Sequence, residues 1–205
     1  MAGKRVRHDG PALPVGPGPA VLEGVRPTAG DARRLARYTY LQGKRVDMRA
    51  MAGELGVNRA TLYRWVGSRE ELLVDVLGVL ADHSLQVAIK EATGTGSERV
   101  VRLIVAFLEQ VVDNLGMKVF LRDESELALR LLTRADYGLQ RKLVDVVLAA
   151  LEEEAASGAL HLDVDLDEAA VVIIQMVSTF AYLDLITAET PDAHRAEPIL
   201  RMLLR

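Results

Sequence analysis

Apolar residues along this chain recur every three or four positions, and no segment alternates apolar and polar residues as a half-exposed strand does. The clearest apolar stripe lies between residues 68 and 91 and consists of Leu72, Leu73, Val76, Leu77 and Leu80. Similar stripes fill residues 97–115 and 137–157, and residues 168–188 are apolar almost all round. The pattern predicts an all-α fold with about nine helices.

Two short helices with clear start and stop signals precede the long stripe. Asp47 is a suitable N-cap for the first of them, and Gly56 ends it. Asn58 then caps a second helix that ends at Gly67, after a turn of only about three residues. Ser68, with a glutamate three positions later, forms a capping box that opens the long helix. This spacing predicts a helix-turn-helix.

The second short helix has an outward face that folding alone does not explain. Leu62 packs inward, and the residues around it turn outward, namely Arg59, Ala60, Thr61, Tyr63 and Arg64. Such a face suits a DNA major groove, because arginine reads guanine edges, alanine and threonine contact the thymine methyl group, and tyrosine hydroxyls reach phosphates. The alternative is that both helices are solvated members of an ordinary bundle.

The charge of the chain is divided unevenly between its two parts. The whole chain has a formal net charge of −4, which is unusual for a DNA-binding protein. Residues 1–70 nevertheless contain 13 Lys and Arg against 6 Asp and Glu, whereas residues 71–205 contain 12 against 23. This asymmetry predicts a cationic nucleic-acid-binding module joined to an acidic body.

The segment MAGELGVNRATLYRWVGSREELL resembles the DNA-binding signature of TetR-type transcriptional repressors over more than twenty consecutive positions. The chain departs from that signature at Val66, where the family usually has Phe, at Gly67, and at Arg69, where it usually has Lys. The resemblance implies an N-terminal three-helix helix-turn-helix domain and a C-terminal helical bundle. It also implies a small-molecule site within the bundle and a homodimer formed through the last two helices.

These considerations assign roles to the residues of the motif. We expect base-edge contacts from Arg59, Ala60, Thr61 and Arg64. We expect phosphate contacts from Arg49, Tyr63, Trp65 and Arg69. The backbone N–H groups of Ser68 and Arg69 lie at a helix N-terminus, which favours a further phosphate. The partner would be a double-stranded DNA operator with a nearly palindromic sequence.

Composition and pattern together divide the chain into three parts. Residues 1–27 hold five of the seven prolines and are expected to form a disordered or linker-like arm. Its basic residues contact DNA in one interpretation and belong to a solvated tail in the other. Residues 28–74 form the predicted DNA-binding domain, and residues 75–205 form the predicted ligand-binding and dimerisation domain.

A candidate effector site lies on the later helices. The helix at 168–188 is apolar almost all round, apart from a stripe formed by Gln175, Ser178, Thr179 and Tyr182. Burying such groups unpaired costs about 1–3 kcal/mol each, so they must meet a partner. Other predicted members of the site are Phe107, Gln110, Val111, Asn114, Phe120 and Leu129. The stripe, or apolar positions such as Val172, could instead lie in the dimer interface.

Other classes of function receive little support from the sequence. The four histidines are scattered, and no catalytic or metal-binding motif and no cofactor-binding loop is present. The absence of cysteine, of a signal peptide and of an apolar run of about 18 residues indicates a cytoplasmic protein away from membranes. Glu152, Glu153 and Glu154 are expected to be a solvated helix end.

The hypothesis is a cytoplasmic, homodimeric transcriptional regulator, expected to be a repressor, that a small apolar or amphipathic effector releases from DNA. The alternative is a helical ligand-binding or scaffolding protein whose DNA-binding module is vestigial.

Overall fold

The computed structural model describes residues 26–182 and 190–205, which are helical apart from loops and contain no strand. The all-α prediction is thereby confirmed. Within these residues there are ten α-helices: α1 Ala29–Leu41, α2 Met48–Glu54, α3 Arg59–Val66, α4 Arg69–Glu91, α5 Gly96–Asp113, α6 Leu115–Asp123, α7 Ser125–Thr133, α8 Leu139–Ala156, α9 Leu166–Ala181 and α10 Glu197–Leu203. Two short 3-10 helices, Ala135–Tyr137 and Ala193–Ala196, precede α8 and α10.

Two sequence-based predictions fall partly outside these ranges. Of the arm predicted for residues 1–27, residues 1–25 lie outside the described residues. The helix predicted for residues 168–188 is described as far as Ala181, and residues 183–189 are outside the description.

The N-terminal helices begin where the capping residues were expected. Asp47 Oδ1 accepts hydrogen bonds from the backbone N–H groups of Arg49 and Ala50, at 2.9 and 2.8 Å. Asn58 Oδ1 accepts from the N–H of Thr61 at 2.8 Å and starts α3. Ser68 and its glutamate partner form the predicted capping box at the start of α4. Each cap satisfies backbone donors that the first turn of a helix leaves without a partner.

The buried side chains form two clusters, and α4 runs through both. The first cluster joins α1, α2, α3 and the start of α4 to α6 and α7. The second joins the end of α4 to α5, α8, α9 and α10. Two helices that follow the predicted domain boundary therefore pack with the helices that are predicted to bind DNA. The division at residue 74 stays a prediction, since α4 crosses it without a break.

Among the described helices, only α4 has the length and composition of a membrane span, with a mean hydropathy of 1.6. We expected no apolar run of that length. The packing explains it, because Leu72 and Val76 are buried in the first cluster, whereas Leu85 and Ala88 are buried in the second. One helix that serves two cores has to be apolar along most of its length.

Glu154 corrects the expectation of a fully solvated helix end. Its side chain is only 7% exposed and accepts from Arg99 Nη1 at 2.6 Å and from the backbone N–H of Gly96 at 2.5 Å. The Arg99 guanidinium, followed by the Gly96 N–H, lowers the pKa of the Glu154 carboxyl. The end of α8 is thereby tied to the start of α5, while Glu152 and Glu153 remain exposed.

Helices α1 and α6 approach each other very closely at Gly116. A Cβ atom on Gly116 would lie 2.3 Å from the carbonyl oxygen of Tyr40 and 2.6 Å from its ring. The Tyr40 ring also meets the Phe120 ring edge-on, with 5.9 Å between centroids. This contact fixes α1, and the predicted DNA-binding helices packed on it, against the body of the protein.

Replacing Gly116 by alanine should therefore lower the free energy of unfolding by about 1–3 kcal/mol, because the added methyl group overlaps backbone atoms that cannot move aside easily. A Gly78→Ala protein is the matched control, since Gly78 is also helical but has nothing within 4 Å of the added Cβ. That control should gain about 0.5–1 kcal/mol through helix propensity. Urea unfolding followed by circular dichroism measures both, and equal midpoints for the two variants would contradict the close contact.

Candidate DNA-binding surface and effector cavity

Helix α3 is positioned by two buried side chains and a tight turn. Gly56, with φ of +64°, allows the chain to turn between α2 and α3 without a steric penalty. Leu62 is fully buried and Val66 is 7% exposed, so both hold α3 against the first cluster. The opposite side of α3, with Arg59, Ala60, Tyr63 and Arg64, is exposed to solvent. Thr61 is half-buried beside it.

Three arginines make this surface strongly cationic. Arg49 on α2 and Arg59 and Arg64 on α3 are exposed, and none forms an ion pair with another residue in the described part of the chain. Many arginines elsewhere are paired with carboxylates, for example Arg130 with Glu70 at 2.6 Å. Guanidinium groups that lack an internal partner are available to phosphates and base edges.

Arg69 does not lie where the sequence-based assignment placed it. Its Nε donates to the carbonyl oxygen of Val46 at 2.6 Å, and its Nη2 donates to Glu124 Oε1 at 2.7 Å. The side chain is only 20% exposed. We expected a phosphate contact, but these donors bind the loop before α2 and the junction of α6 and α7. A partner 55 positions away in the chain could not be inferred from the motif.

The backbone N–H of Ser68 is also engaged. It donates to Glu71 Oε2 at 2.6 Å, which completes the capping box. The carboxylate of Glu71 therefore occupies this donor, which had been assigned to a DNA phosphate. Trp65 is half-buried and packs against the first cluster, so only part of its indole is accessible.

A cavity lies behind this surface, between α4, α5, α8 and α9. Its volume is about 80 Å³, counted for the centres of water-sized molecules. About 10–15 Å³ of such space accommodates one water molecule, so the cavity has room for several waters or a small ligand. Six of the ten predicted effector residues line it, namely Phe107, Gln110, Val111, Asn114, Ser178 and Tyr182.

The other four predicted residues lie elsewhere. Phe120 faces the Tyr40 ring in the first cluster, and Leu129 on α7 is not part of the wall. Gln175 and Thr179 are exposed, because the rotation of α9 turns their side outward. The Thr179 hydroxyl donates to the carbonyl oxygen of Met176 at 2.6 Å, which satisfies its donor within the helix.

Several residues of the wall were missed in the sequence. They are mainly apolar, but Tyr40, Ser84 and Gln140 add polar groups, and Met117 adds a thioether. Ser84 is 5% exposed and interrupts the apolar stripe of α4, which is the same type of signal that marked α9. Tyr40 belongs to α1, and nothing in the sequence connects α1 with a site formed by much later helices.

The tyrosines of the wall stay uncharged at physiological pH. Burial raises the pKa of Tyr182 to about 12, and a hydrogen bond with Ser178 only partly offsets this. Burial also raises the pKa of Tyr40, whose hydroxyl donates to Met117 Sδ at 3.7 Å. No Asp, Glu, Lys, Arg or His lines the cavity in the described part of the chain.

An exposed apolar surface lies on the last two helices. It consists of Val171 and Val172 on α9, which are 41% and 56% exposed, and Ile199, Met202 and Leu203 on α10, which are 37%, 61% and 40% exposed. Large exposed apolar side chains are typical of a surface that another protein covers.

Comparison with known proteins agrees with this architecture. The family model described as "Tetracyclin repressor-like, C-terminal domain" matches residues 95–205. The transcriptional repressor QsdR of the TetR family from R. erythropolis is 24% identical, covers 86% of this chain and 93% of its own, and superposes with a TM-score of 0.73. The TetR family repressor AlkX from Dietzia sp. is 21% identical, covers 82% of this chain and 97% of its own, and has a TM-score of 0.51.

No curated protein matches the chain. At these identities the two structures establish the shared fold, and the family model covers more than half of the residues. With its helix-turn-helix and its C-terminal helical domain, the chain belongs to the TetR family of transcriptional regulators.

Proposed function

We propose that this regulator binds a nearly palindromic operator as a homodimer in the cytoplasm and that a small uncharged molecule releases it. Residues 28–74 would read the DNA, and residues 75–205 would bind the effector and form the dimer. The observation that carries the proposal is that α1 and α4, which support α3, also line the effector cavity. A ligand in the cavity therefore touches the elements that orient the DNA-binding surface.

The exposed face of α3 would enter the major groove. Arg59, Ala60, Thr61 and Arg64 would contact base edges, and Arg49, Tyr63 and Trp65 would contact phosphates. A twofold dimer places two such helices in grooves about 34–36 Å apart, one turn of DNA. Operator palindromy follows from this symmetry.

Arg69 takes a different role in the proposal. Because it bridges Val46 and Glu124, it positions α4 relative to α2 and to the junction of α6 and α7. Arg45 lies on the other side of Glu124, with 3.6 Å between its Nε and Oε2. Glu124 would thus hold two cations of the DNA-binding domain against the body.

Release requires the effector to bind the DNA-free arrangement more tightly than the DNA-bound one. Coupling of this kind is typically about 1–3 kcal/mol, or roughly 5–150-fold in affinity. The ligand would exert it by changing how α4 and α6 pack around the cavity, which alters the separation of the two recognition helices.

For sequence recognition, an Arg59→Ala protein should lose about 1–3 kcal/mol of discrimination between its operator and DNA altered at one guanine, because a bidentate contact to that base is lost. Operator DNA can be selected from a random duplex pool with the natural protein, and affinities follow from fluorescence anisotropy. Arg141→Ala, which removes an exposed arginine from α8, is the control. Full discrimination in the Arg59 variant would exclude base reading by this residue.

For the salt dependence, Arg49→Ala should reduce the slope of log affinity against log salt concentration by about 1, since one phosphate contact is lost. Arg69→Ala should leave that slope near its natural value, because its guanidinium is already bound to Glu124 and Val46. A reduced slope for Arg69→Ala would instead show that this arginine contacts a DNA phosphate.

The contact between Arg69 and Glu124 can also be measured through stability. The free energies of unfolding of Arg69→Ala, Glu124→Gln and the double variant should show a coupling of about 1 kcal/mol.

For the dimer, Val172→Glu should shift the protein to a monomer, because a charge would be buried in the proposed interface. Val79→Glu is the matched control, since Val79 is 39% exposed on α4 but lies outside the apolar surface of α9 and α10. Sedimentation velocity at micromolar concentration measures both proteins. A dimeric Val172→Glu protein would place the interface elsewhere.

A further inference from the structure

The chemistry of the cavity wall restricts the kind of molecule that it can bind. The wall is mainly apolar and carries no charged side chain in the described part of the chain. A charged ligand would have to leave water without an ionic partner, which is strongly unfavourable. The wall therefore selects an uncharged molecule with a large apolar part.

Gln140 supplies the first specific requirement. Its Nε2 donates to the carbonyl oxygen of Leu132 at 3.0 Å, which fixes the orientation of the side-chain amide. Its Oε1 is buried and has no hydrogen-bond partner among the described residues. A buried amide oxygen without a donor is unfavourable, so the residue is suited to a ligand that brings an N–H or O–H group.

Tyr40 supplies the second requirement. The residue is 3% exposed, and its hydroxyl donates to the sulfur of Met117 at 3.7 Å. A thioether is a weak acceptor, so an oxygen acceptor on a ligand would form a stronger hydrogen bond with this hydroxyl. Because burial keeps Tyr40 protonated, the hydroxyl remains a donor over the whole physiological pH range.

The remaining polar groups of the wall are less demanding. Tyr182 and Ser178 form a hydrogen bond with each other. Asn114 accepts from the backbone N–H of Met117 at 2.9 Å and caps α6. Among the described residues, Gln140 Oε1 is the only side-chain nitrogen or oxygen of the wall that is buried without a hydrogen-bond partner, and the Tyr40 hydroxyl has a thioether as its acceptor.

We propose that the effector is an uncharged, mostly apolar molecule that carries both a hydrogen-bond donor for Gln140 Oε1 and an oxygen acceptor for the Tyr40 hydroxyl, as a secondary amide with an alkyl chain does. This inference rests on the proposed function of the cavity as the effector site. It also gives the signal a direct route, because Tyr40 belongs to α1. An acceptor that draws its hydroxyl away from Met117 replaces a hydrogen bond between α1 and α6.

A matched series of compounds tests the proposal on the full-length protein by isothermal titration calorimetry. N-pentylhexanamide offers a donor and an acceptor, pentyl hexanoate keeps the acceptor without the donor, and decanoate carries a charge. The amide should bind about tenfold more tightly than the ester, because only the amide satisfies Gln140 Oε1. Decanoate should bind more weakly than either neutral compound.

Variants separate the two contacts. Gln140→Leu should make the affinities of amide and ester equal. Tyr40→Phe should weaken both about tenfold and preserve their ratio, since both compounds carry the carbonyl oxygen. Gln86→Leu, which changes an exposed glutamine of α4 outside the cavity wall, should preserve the ratio and the affinities. Thermal unfolding of each variant shows whether it remains folded, and Gln86→Leu shows the effect of losing a glutamine that does not line the cavity.

Equal binding of amide and ester by the natural protein, tighter binding of decanoate, or binding of no compound in the series would overturn the proposal. Operator binding in the absence of any ligand tests the regulator function separately. A protein that binds its selected operator but fails with this series loses only the proposed effector chemistry. A protein that binds no operator loses the function on which the inference rests.

Discussion

Helices α1 and α6 meet at Tyr40 and Gly116, where the absence of a Cβ atom lets the side chain and backbone of α1 lie directly on α6. Both candidate sites depend on this contact. On one side, Tyr40 lines the candidate effector cavity and donates a hydrogen bond to Met117. On the other, the end of α6 brings Glu124 to Arg69 and Arg45, next to α2. A shift of α6 would therefore alter the cavity wall and the support of the DNA-binding helices together.

The local features of the fold could be predicted from the sequence because the interactions that create them are local. Asp47, Asn58 and Ser68 cap the helices that they were expected to cap, since each bonds to an N–H only two or three positions away. Leu62 was expected to be buried for the same reason, because its position on a short helix is set by the helical period. The family signature depends on the same local pattern.

Features that need a partner far along the chain could not be predicted in this way. The bond from Arg69 to Glu124 spans 55 positions, and that from Gly96 to Glu154 spans 58.

The rotation of α9 could not be predicted for another reason. Its apolar residues surround the helix almost completely, so the pattern gave no preferred inward side, and Gln175 and Thr179 were placed in the site although they face outward.

The distribution of charge acquires a mechanical meaning once the pairing is known. Several contacts between the cationic N-terminal part and the acidic body are ion pairs, including those of Arg45 and Arg69 with Glu124. Ion pairs that solvent reaches, as these are in part, are individually weak, at about 0–1 kcal/mol, and salt screens them. The arginines of α3 are left without such partners in the described part of the chain and remain available to DNA.

Weak ionic links combined with one tight contact fit the proposed release mechanism, in which the helices would have to move. The ion pairs can rearrange at low cost, whereas the packing of α6 on Tyr40 tolerates little change in distance. Small displacements around the cavity would then be transmitted as rotations of the DNA-binding helices about that contact. Because α4 contributes to both cores without a break, such a rotation would also move the start of α4, which packs beside α3.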